Sequence, residues 1–396
     1  MLLQRHFSIR MKQIYLDNGA TTRVDNEVAE EVKGYFTEVY GNPSSNHLFG
    51  EKACEALERS RIKIAKILNA ESDEIVFTSG GTESDNIAII GTALANKDNG
   101  NHIITSEIEH PAVLNTCRYL ERNGFEVTYL EVDEFGLINL DELKEAIKDT
   151  TILVTIMTAN NEIGTIQPIA EIGEICSQQN IIFHTDSVQA FTKFHIDVKK
   201  QNIHLSSLSG HKIHAPKGVG ALFIKRGTKI IPVQFGGSQE HKIRAGTENV
   251  PGIAGFAKAA EIAARDGNDG INKIANLRDK LIKGILEIKG TRLNGHPVKR
   301  LCMNASISFE GIAGERLLSE LNNAGICAST GSACSAKSSK PSHVLTAIGL
   351  EHEKYPASIR FTLSRYTSDE EIEYTIKSVK EIVTKLRKDA NVKSPC

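Results

Sequence analysis

Seven cysteines are scattered over 396 residues with no CxxC pair among them: Cys54, Cys117, Cys176, Cys302, Cys327, Cys334 and Cys396. An odd, thinly spread set excludes a disulfide framework and a paired-cysteine zinc site, so no metal is expected, and it points to reduced thiols in a cytoplasmic setting. Long hydrophobic runs are missing too. A membrane-spanning helix needs about 20 consecutive apolar residues, and the longest candidates here, such as Ile87 to Ala95, are interrupted by Gly91 and Thr92. The chain is therefore expected to be soluble, with no membrane partner. A formal charge of −2 lacks the excess of basic residues that draws a protein to nucleic acid, which leaves small-molecule chemistry as the expected business of the chain. No internal repeat or low-complexity tract is present, apart from an enrichment in Ser, Ala and Gly over Ala328 to Ser342.

The composition is that of an ordinary globular protein, 40% apolar and 24% charged, in a chain long enough for two domains. Residues 1–10 carry two arginines and no acid ahead of Met11, and are too short for a secretory signal. They are expected to be a non-structural extension, either an upstream alternative start or a targeting remnant.

From there, apolar runs of strand length alternate with helical spacing. The strands are expected at Ile75 to Thr78, His102 to Ser106, Glu126 to Leu130, Ile152 to Met157 and Ile181 to His184. The helices are expected at Glu51 to Leu68, Glu83 to Leu94, Ala112 to Asn123, Leu140 to Ile147 and Ile169 to Gln179. That alternation predicts an α/β fold with a mostly parallel sheet and helices on both faces. The run Arg265 to Gly270, RDGNDG, reads as a break after a helix ending near Ala263 and before a second helix over Ile271 to Ile288. It divides the chain into a large domain (23–265) and a smaller α+β domain (11–22 with 266–396).

Several polar residues stand where strands end. Lys212 lies in SSLSGHKIHAPKG, between the runs Ile203 to Leu208 and Val219 to Lys225; a lysine whose ammonium is discouraged by burial condenses with aldehydes, whereas one on an exposed turn does not. Gly80 and Gly81 in TSGGTESDN let the backbone approach an anion, with Thr82 at the start of the next helix, although a Gly-Gly pair also serves as a plain tight turn. Asp186 ends the run IIFHTD, either to hold a protonated ring nitrogen or to cap a helix beginning there. His110 precedes Pro111 as a cap or as a ring-stacking group, and Asn161 with Glu162 comes after a buried strand. Cys334 differs from the other thiols in its small, polar surroundings, with Lys337 and Lys340 nearby in sequence. Cys54, Cys117 and Cys176 are expected on apolar helix faces in the core.

Taken in order, YLDNGATT, GNPSSNH, TSGGTESDN, EHPAV, NNEIG, HTDSVQ, SGHKIHAPKG, RAGTENV, GSACSAKSSKPSHV and SIRFTLSRYT resemble the cysteine desulfurases of the nitrogen-fixation type, within the class V aminotransferase-like pyridoxal phosphate enzymes. The resemblance runs from about Ile14 to about Leu386. It implies the aspartate-aminotransferase-like fold (fold type I) and pyridoxal 5'-phosphate as cofactor. Lys212 would hold the cofactor, Asp186 would pair with its ring nitrogen, Gln189 and Asn161 would approach its ring hydroxyl, and His110 would stack on the ring. Gly81, Thr82, Ser209 and His211 would receive the phosphate, with Thr247 reaching in from the second subunit of a homodimer. Asn161 and Arg360 would bind the substrate, Arg360 by its carboxylate, and Cys334 would take the sulfur of L-cysteine as a persulfide, leaving alanine, and pass it to a sulfur-acceptor or iron–sulfur scaffold protein. Selenocysteine lyase activity and a non-catalytic sulfur-transfer scaffold are the alternatives. Three departures from the family pattern stand out: Gly19 in place of asparagine or serine, Ser187 in place of alanine, and QEHKIRAGT without the usual arginine after Gln-Glu.

Overall fold

The computed structural model describes residues 13–331 and 342–392. In chain order its elements are β1 (Ile14–Tyr15), α1 (Asn26–Thr37), α2 (Leu48–Leu68), β2 (Ile75–Thr78), α3 (Gly81–Ala95), β3 (His102–Ser106), α4 (Pro111–Glu121), β4 (Glu126–Leu130), α5 (Leu140–Ala146), β5 (Thr151–Thr155), α6 (Ile169–Gln178), β6 (Ile182–Asp186), β7 (Leu205–Ser209), β8 (Gly220–Ile224), α7 (Val250–Leu286), β9 (Thr291–Leu293), β10 (Asn304–Phe309), α8 (Gly314–Asn323), β11 (Ile326–Cys327), α9 (His343–Ala347), β12 (Ala357–Thr362) and α10 (Asp369–Val392).

Seven strands form the main sheet in the order β2-β8-β7-β6-β5-β3-β4. Strands β3 to β7 run parallel, and β8 is antiparallel to both of its neighbours. Strands β3, β5 and β7 are buried along their whole length, as expected where helices cover both faces of a sheet and leave no solvated side. The crossings back to each parallel strand put the strand ends, and the loops after them, on one side of the sheet. The chain carries its polar residues there.

The second half of the fold holds an antiparallel sheet, β12-β10-β9, and a two-stranded parallel pair, β1 with β11. Through β1 the start of the described chain joins this unit. An isolated bridge between Asp17 and Thr362 carries the pairing on to β12.

One expectation is met and one needs correction. The break expected at 265–270 is present: α7 is two helical stretches joined across a kink at Gly267, which leaves helical geometry at φ 52° and ψ −147°. Glycine adopts such a conformation without a Cβ clash, so one residue absorbs the irregularity and the helix resumes. Cys54 is exposed rather than core. The buried stripe of α2 passes through Ala53, Ala56, Leu57, Ser60 and Ile64, and Cys54 stands about 100° round the helix from Ala53. Cys117 and Cys176 are buried as expected.

Candidate active site

At the carboxyl ends of β5, β6 and β7 lies a cavity of about 230 Å³. Its wall includes Gly81, Thr82, His110, Asn161, Asp186, Gln189, Ser209, His211, Lys212 and Arg360, drawn from six separate motifs of the sequence.

The turn after β2 opens it. Gly80 sits at φ 152°, and a Cβ on Gly81 would stand 2.5 Å from Val188 Cγ2, so only glycine allows α3 to start this close to the segment after β6. Glu83 accepts from the Ser79 amide at 2.5 Å and from Arg244 Nε at 2.8 Å, which pins the first turn of α3. Thr82 on that turn brings a hydroxyl to free helix amides, a place where an anion is welcome.

His110 does two jobs at once. Its Nδ1 accepts the Ala112 amide at 3.1 Å and so caps α4, while the ring borders the cavity. Burial pushes its pKa down. Asp186, at the end of β6, accepts the Val188 amide at 2.9 Å. Burial raises its pKa, and His110 and Lys212 act against that rise. His211, whose Nδ1 lies 3.1 Å from Thr21 Oγ1, is pushed down to about 4 by burial and then by the lysines around it.

Lys212 Nζ donates to the carbonyls of Gly19 at 2.7 Å and Ala20 at 2.8 Å, and Gln189 Nε2 donates to the same Gly19 carbonyl at 3.0 Å. Across the cavity Arg360, 2% exposed, donates from Nη1 to the Asn161 carbonyl at 2.9 Å and pairs through Nη2 with Asp17 Oδ1 at 3.2 Å.

Among the described residues, three buried polar atoms of this wall have no hydrogen-bond partner: Asp85 Oδ1, Gln189 Oε1 and Arg360 Nε. Buried polar atoms are rarely left so, and three in one cavity mark a place shaped for a polar ligand.

Two sequence candidates are not among the described residues of the wall. Thr247 is exposed and outside the cavity, three residues beyond the Arg244 that grips Glu83. Cys334 lies outside the described residues. The described residues on either side of that stretch meet at one carboxylate: Ser342 Oγ donates to Glu162 Oε2 at 2.6 Å, and a Cβ on Gly331 would stand 2.9 Å from the same oxygen.

Sequence reasoning missed Asp85 and Glu109. Asp85 stands three residues after Thr82 and so shares its helix face, a spacing that was readable. Glu109 is fully buried, accepts the Ser106 hydroxyl at 2.6 Å and the Met157 amide at 3.0 Å, and is pushed up to about 8 by burial.

Residues 14–375 match the model of the class-V aminotransferases. The chain belongs to the class-V aminotransferase family. Among curated relatives of this class-V chain, "Cysteine desulfurase IscS" of Methanosarcina thermophila is 55% identical over 96% of the chain and 94% of the relative. A protein of the same name from Clostridium botulinum is 51% identical, covering 95% of the chain and 96% of the relative. Of solved structures, a "NifS-like protein" superposes with a TM-score of 0.89 at 39% identity, covering 94% of this chain and all of that one. "SspA in complex with cysteine" gives 0.79 at 38%, covering 90% of this chain and 100% of the other.

The class-V fold expected from the sequence is the one observed, and the cofactor of this family is pyridoxal 5'-phosphate. The cavity fits it in chemistry. It has an amine at Lys212, a carboxyl at Asp186, an unpaired acceptor at Gln189 Oε1, and an anion-receiving helix start beside Ser209 and His211. Among the described residues, no helix is long and apolar enough to cross a membrane.

Proposed function

We propose that this cavity takes pyridoxal phosphate and L-cysteine, and that the chain works as a cysteine desulfurase, releasing alanine and moving the sulfur to Cys334. The observation that carries the reading is that the Lys212 amine, the Asp186 carboxyl and the Arg360 guanidinium line one cavity, in an order that suits an aldehyde, a ring nitrogen and a substrate carboxylate. When bound, the cofactor supplies an electron sink conjugated to the substrate Cα.

This chain's own groups do the rest. Arg360 receives the substrate carboxylate on a guanidinium already oriented by Asn161 and Asp17. Asp186 would hold a proton on the ring nitrogen, and Thr82, Ser209 and His211 would receive the phosphate. Lys212 would hold the cofactor's aldehyde, and its amine would take the substrate Cα proton. Its Nζ returns to the Gly19 and Ala20 carbonyls, which fix where the amine sits. His110, whose pKa burial lowers, would stack on the ring and relay a proton. The Cys334 thiolate attacks the substrate sulfur: the carbon–sulfur bond breaks with its electrons going to carbon, a sulfur–sulfur bond forms, and the carbon skeleton leaves as alanine after gaining a proton at Cβ and regaining one at Cα from Lys212.

In a homodimer, Thr247 of each copy would serve the phosphate of the other, in keeping with its exposure away from its own cavity. The persulfide would then pass to an acceptor protein of iron–sulfur cluster assembly in the cytoplasm.

Borohydride reduction of the cofactor-loaded protein tests the lysine. The label is expected on Lys212. Lys193 is the competing amine, because burial pushes it down to about 7, but it borders a second cavity with Cys302 and not the one holding Asp186 and Arg360. A label on Lys193 would contradict the reading.

A further inference from the structure

Asp85 is the acid of the cavity for which the desulfurase reading has no role. It stands one turn into α3, 1% exposed, and borders the space between Asp186 and Thr82. Ser207 bonds its carboxyl, and its Oδ1 is one of the unpartnered atoms.

Among the described residues, no cation stands close enough to Asp85 to neutralise it. His184 Nε2 is 3.7 Å from Asp85 Oδ1, but burial pushes that imidazole down to about 3, so the ring is neutral. Its nitrogens bond Thr155 Oγ1 at 2.8 Å and Ser207 Oγ at 3.0 Å. The charged groups that face Asp85 from other elements are Asp186 on β6 and Glu109 after β3, both acids and both buried. The basic groups of the cavity, His110 and Lys212, act on Asp186. The two carboxyls of this wall and the buried Glu109 near them cannot all ionise cheaply, and the charge is best placed on the one that faces the bases.

We propose that Asp85 is a positioning residue that stays uncharged beside Asp186: its proton keeps the two carboxyls at a single negative charge, and that charge rests on Asp186, where the ring nitrogen uses it. This deepens the reading of Asp186 given above and rests on it. A neutral Asp85 completes a chain of hydrogen bonds from Thr155 through His184 and Ser207 to the cavity, and steadies Asp186 without competing for the ring proton. Loss of that end of the chain leaves the Ser207 hydroxyl bonded to His184 alone and Asp186 less firmly held.

The test compares Asp85→Asn, Asp85→Ala and Asp186→Asn in the full chain. Cofactor affinity and the pH titration of the bound cofactor's visible band are measured for each. Asparagine copies a protonated carboxyl, so Asp85→Asn is expected to match the unmutated protein in both, while Asp85→Ala loosens the cofactor about tenfold. Asp186→Asn is expected to weaken the cofactor and move the titration. A second readout needs no cofactor: the infrared carbonyl band of a protonated carboxyl at neutral pH is expected in the unmutated chain and weakened in Asp85→Asn.

If Asp85→Asn shifts the titration, if Asp85→Ala binds the cofactor as before, or if the infrared band is unchanged by Asp85→Asn, the proposal is wrong. If instead Asp186→Asn has no effect, the reading of Asp186 fails, which is a different result.

Discussion

Lys212 and Gly19 are 193 positions apart in the chain, yet the lysine Nζ donates to the glycine carbonyl at 2.7 Å. The turn after β1 is thus part of the site, and it is held from the other side. The Gly19 amide donates to Thr362 Oγ1 at 2.7 Å, two residues beyond Arg360 on β12. One glycine links the proposed base to the strand that carries the proposed substrate clamp.

Gly19→Ala tests that link. The added methyl would stand 3.1 Å from Thr362 Cγ2 and 3.2 Å from Thr362 Oγ1, close enough to shift that side chain and the β12 segment carrying Arg360 by a few tenths of an ångström, and would touch Arg360 Cζ at 3.4 Å. Steady-state kinetics should show the KM for L-cysteine raised about fivefold, on the order of 1 kcal/mol of binding. Cofactor affinity should not change, and an unchanged KM would mean that Arg360 is not the clamp.

Arg360→Lys keeps the charge and loses the fork. A lysine cannot hold Asn161 and Asp17 while presenting two parallel donors to a carboxylate. Loss of a charge-assisted pair costs about 1.5 to 3 kcal/mol, so kcat/KM should fall roughly tenfold to a hundredfold. The penalty should shrink with a substrate analogue whose carboxylate is amidated, assayed against the same analogue on the unmutated enzyme.

Glu240→Gln tests stability away from the chemistry. Arg61 and Glu240 are 3% and 1% exposed, bonded at 2.8 Å, and the same carboxylate accepts the Phe77 amide at 2.6 Å. Removing one charge leaves the other buried, at a cost of roughly 3 kcal/mol. Urea titration should show the midpoint lowered with little change in slope.

The pH dependence of folding has two opposed arms. Burial pushes His214 down to about 4 and His184 to about 3, so the unfolded chain, with histidines near 6.5, binds more protons as pH falls. Stability contributed by these neutral rings is present above about pH 6.5 and is lost toward acid, roughly 1 to 2 kcal/mol each by pH 5. Glu109, pushed up to about 8, acts with the other sign: the folded chain keeps a proton that the unfolded chain releases, and stability falls as pH rises from about 4.5 to 8. Denaturation across this range should therefore show stability peaking between the arms. His214→Gln should flatten the acid arm and Glu109→Gln the alkaline one.

The residues legible in the sequence were those at the ends of strands. Asp186 after IIFHT and Lys212 after the strand at SSLS betray their position by the change from apolar run to polar turn, and both line the cavity. Asp85 was illegible because an acid inside a helix reads as a solvated face, and only the packing of α3 against β7 and β8 shows that this face is buried. Gly19 and Ala20 contribute through backbone carbonyls, which no side-chain pattern encodes. The break read into RDGNDG was legible for a related reason: a run of Gly, Asp and Asn competes with helix, and the kink in α7 falls within it, at Gly267.

The most direct measurement is an anaerobic single turnover with L-cysteine on the cofactor-loaded protein, counting alanine released and sulfur bound to the chain by peptide mass. The expected result is one alanine for each persulfide, with the sulfur on Cys334, and neither product from Lys212→Ala. Alanine formed without sulfur on Cys334, or formed at the unmutated rate by Lys212→Ala, would contradict the account.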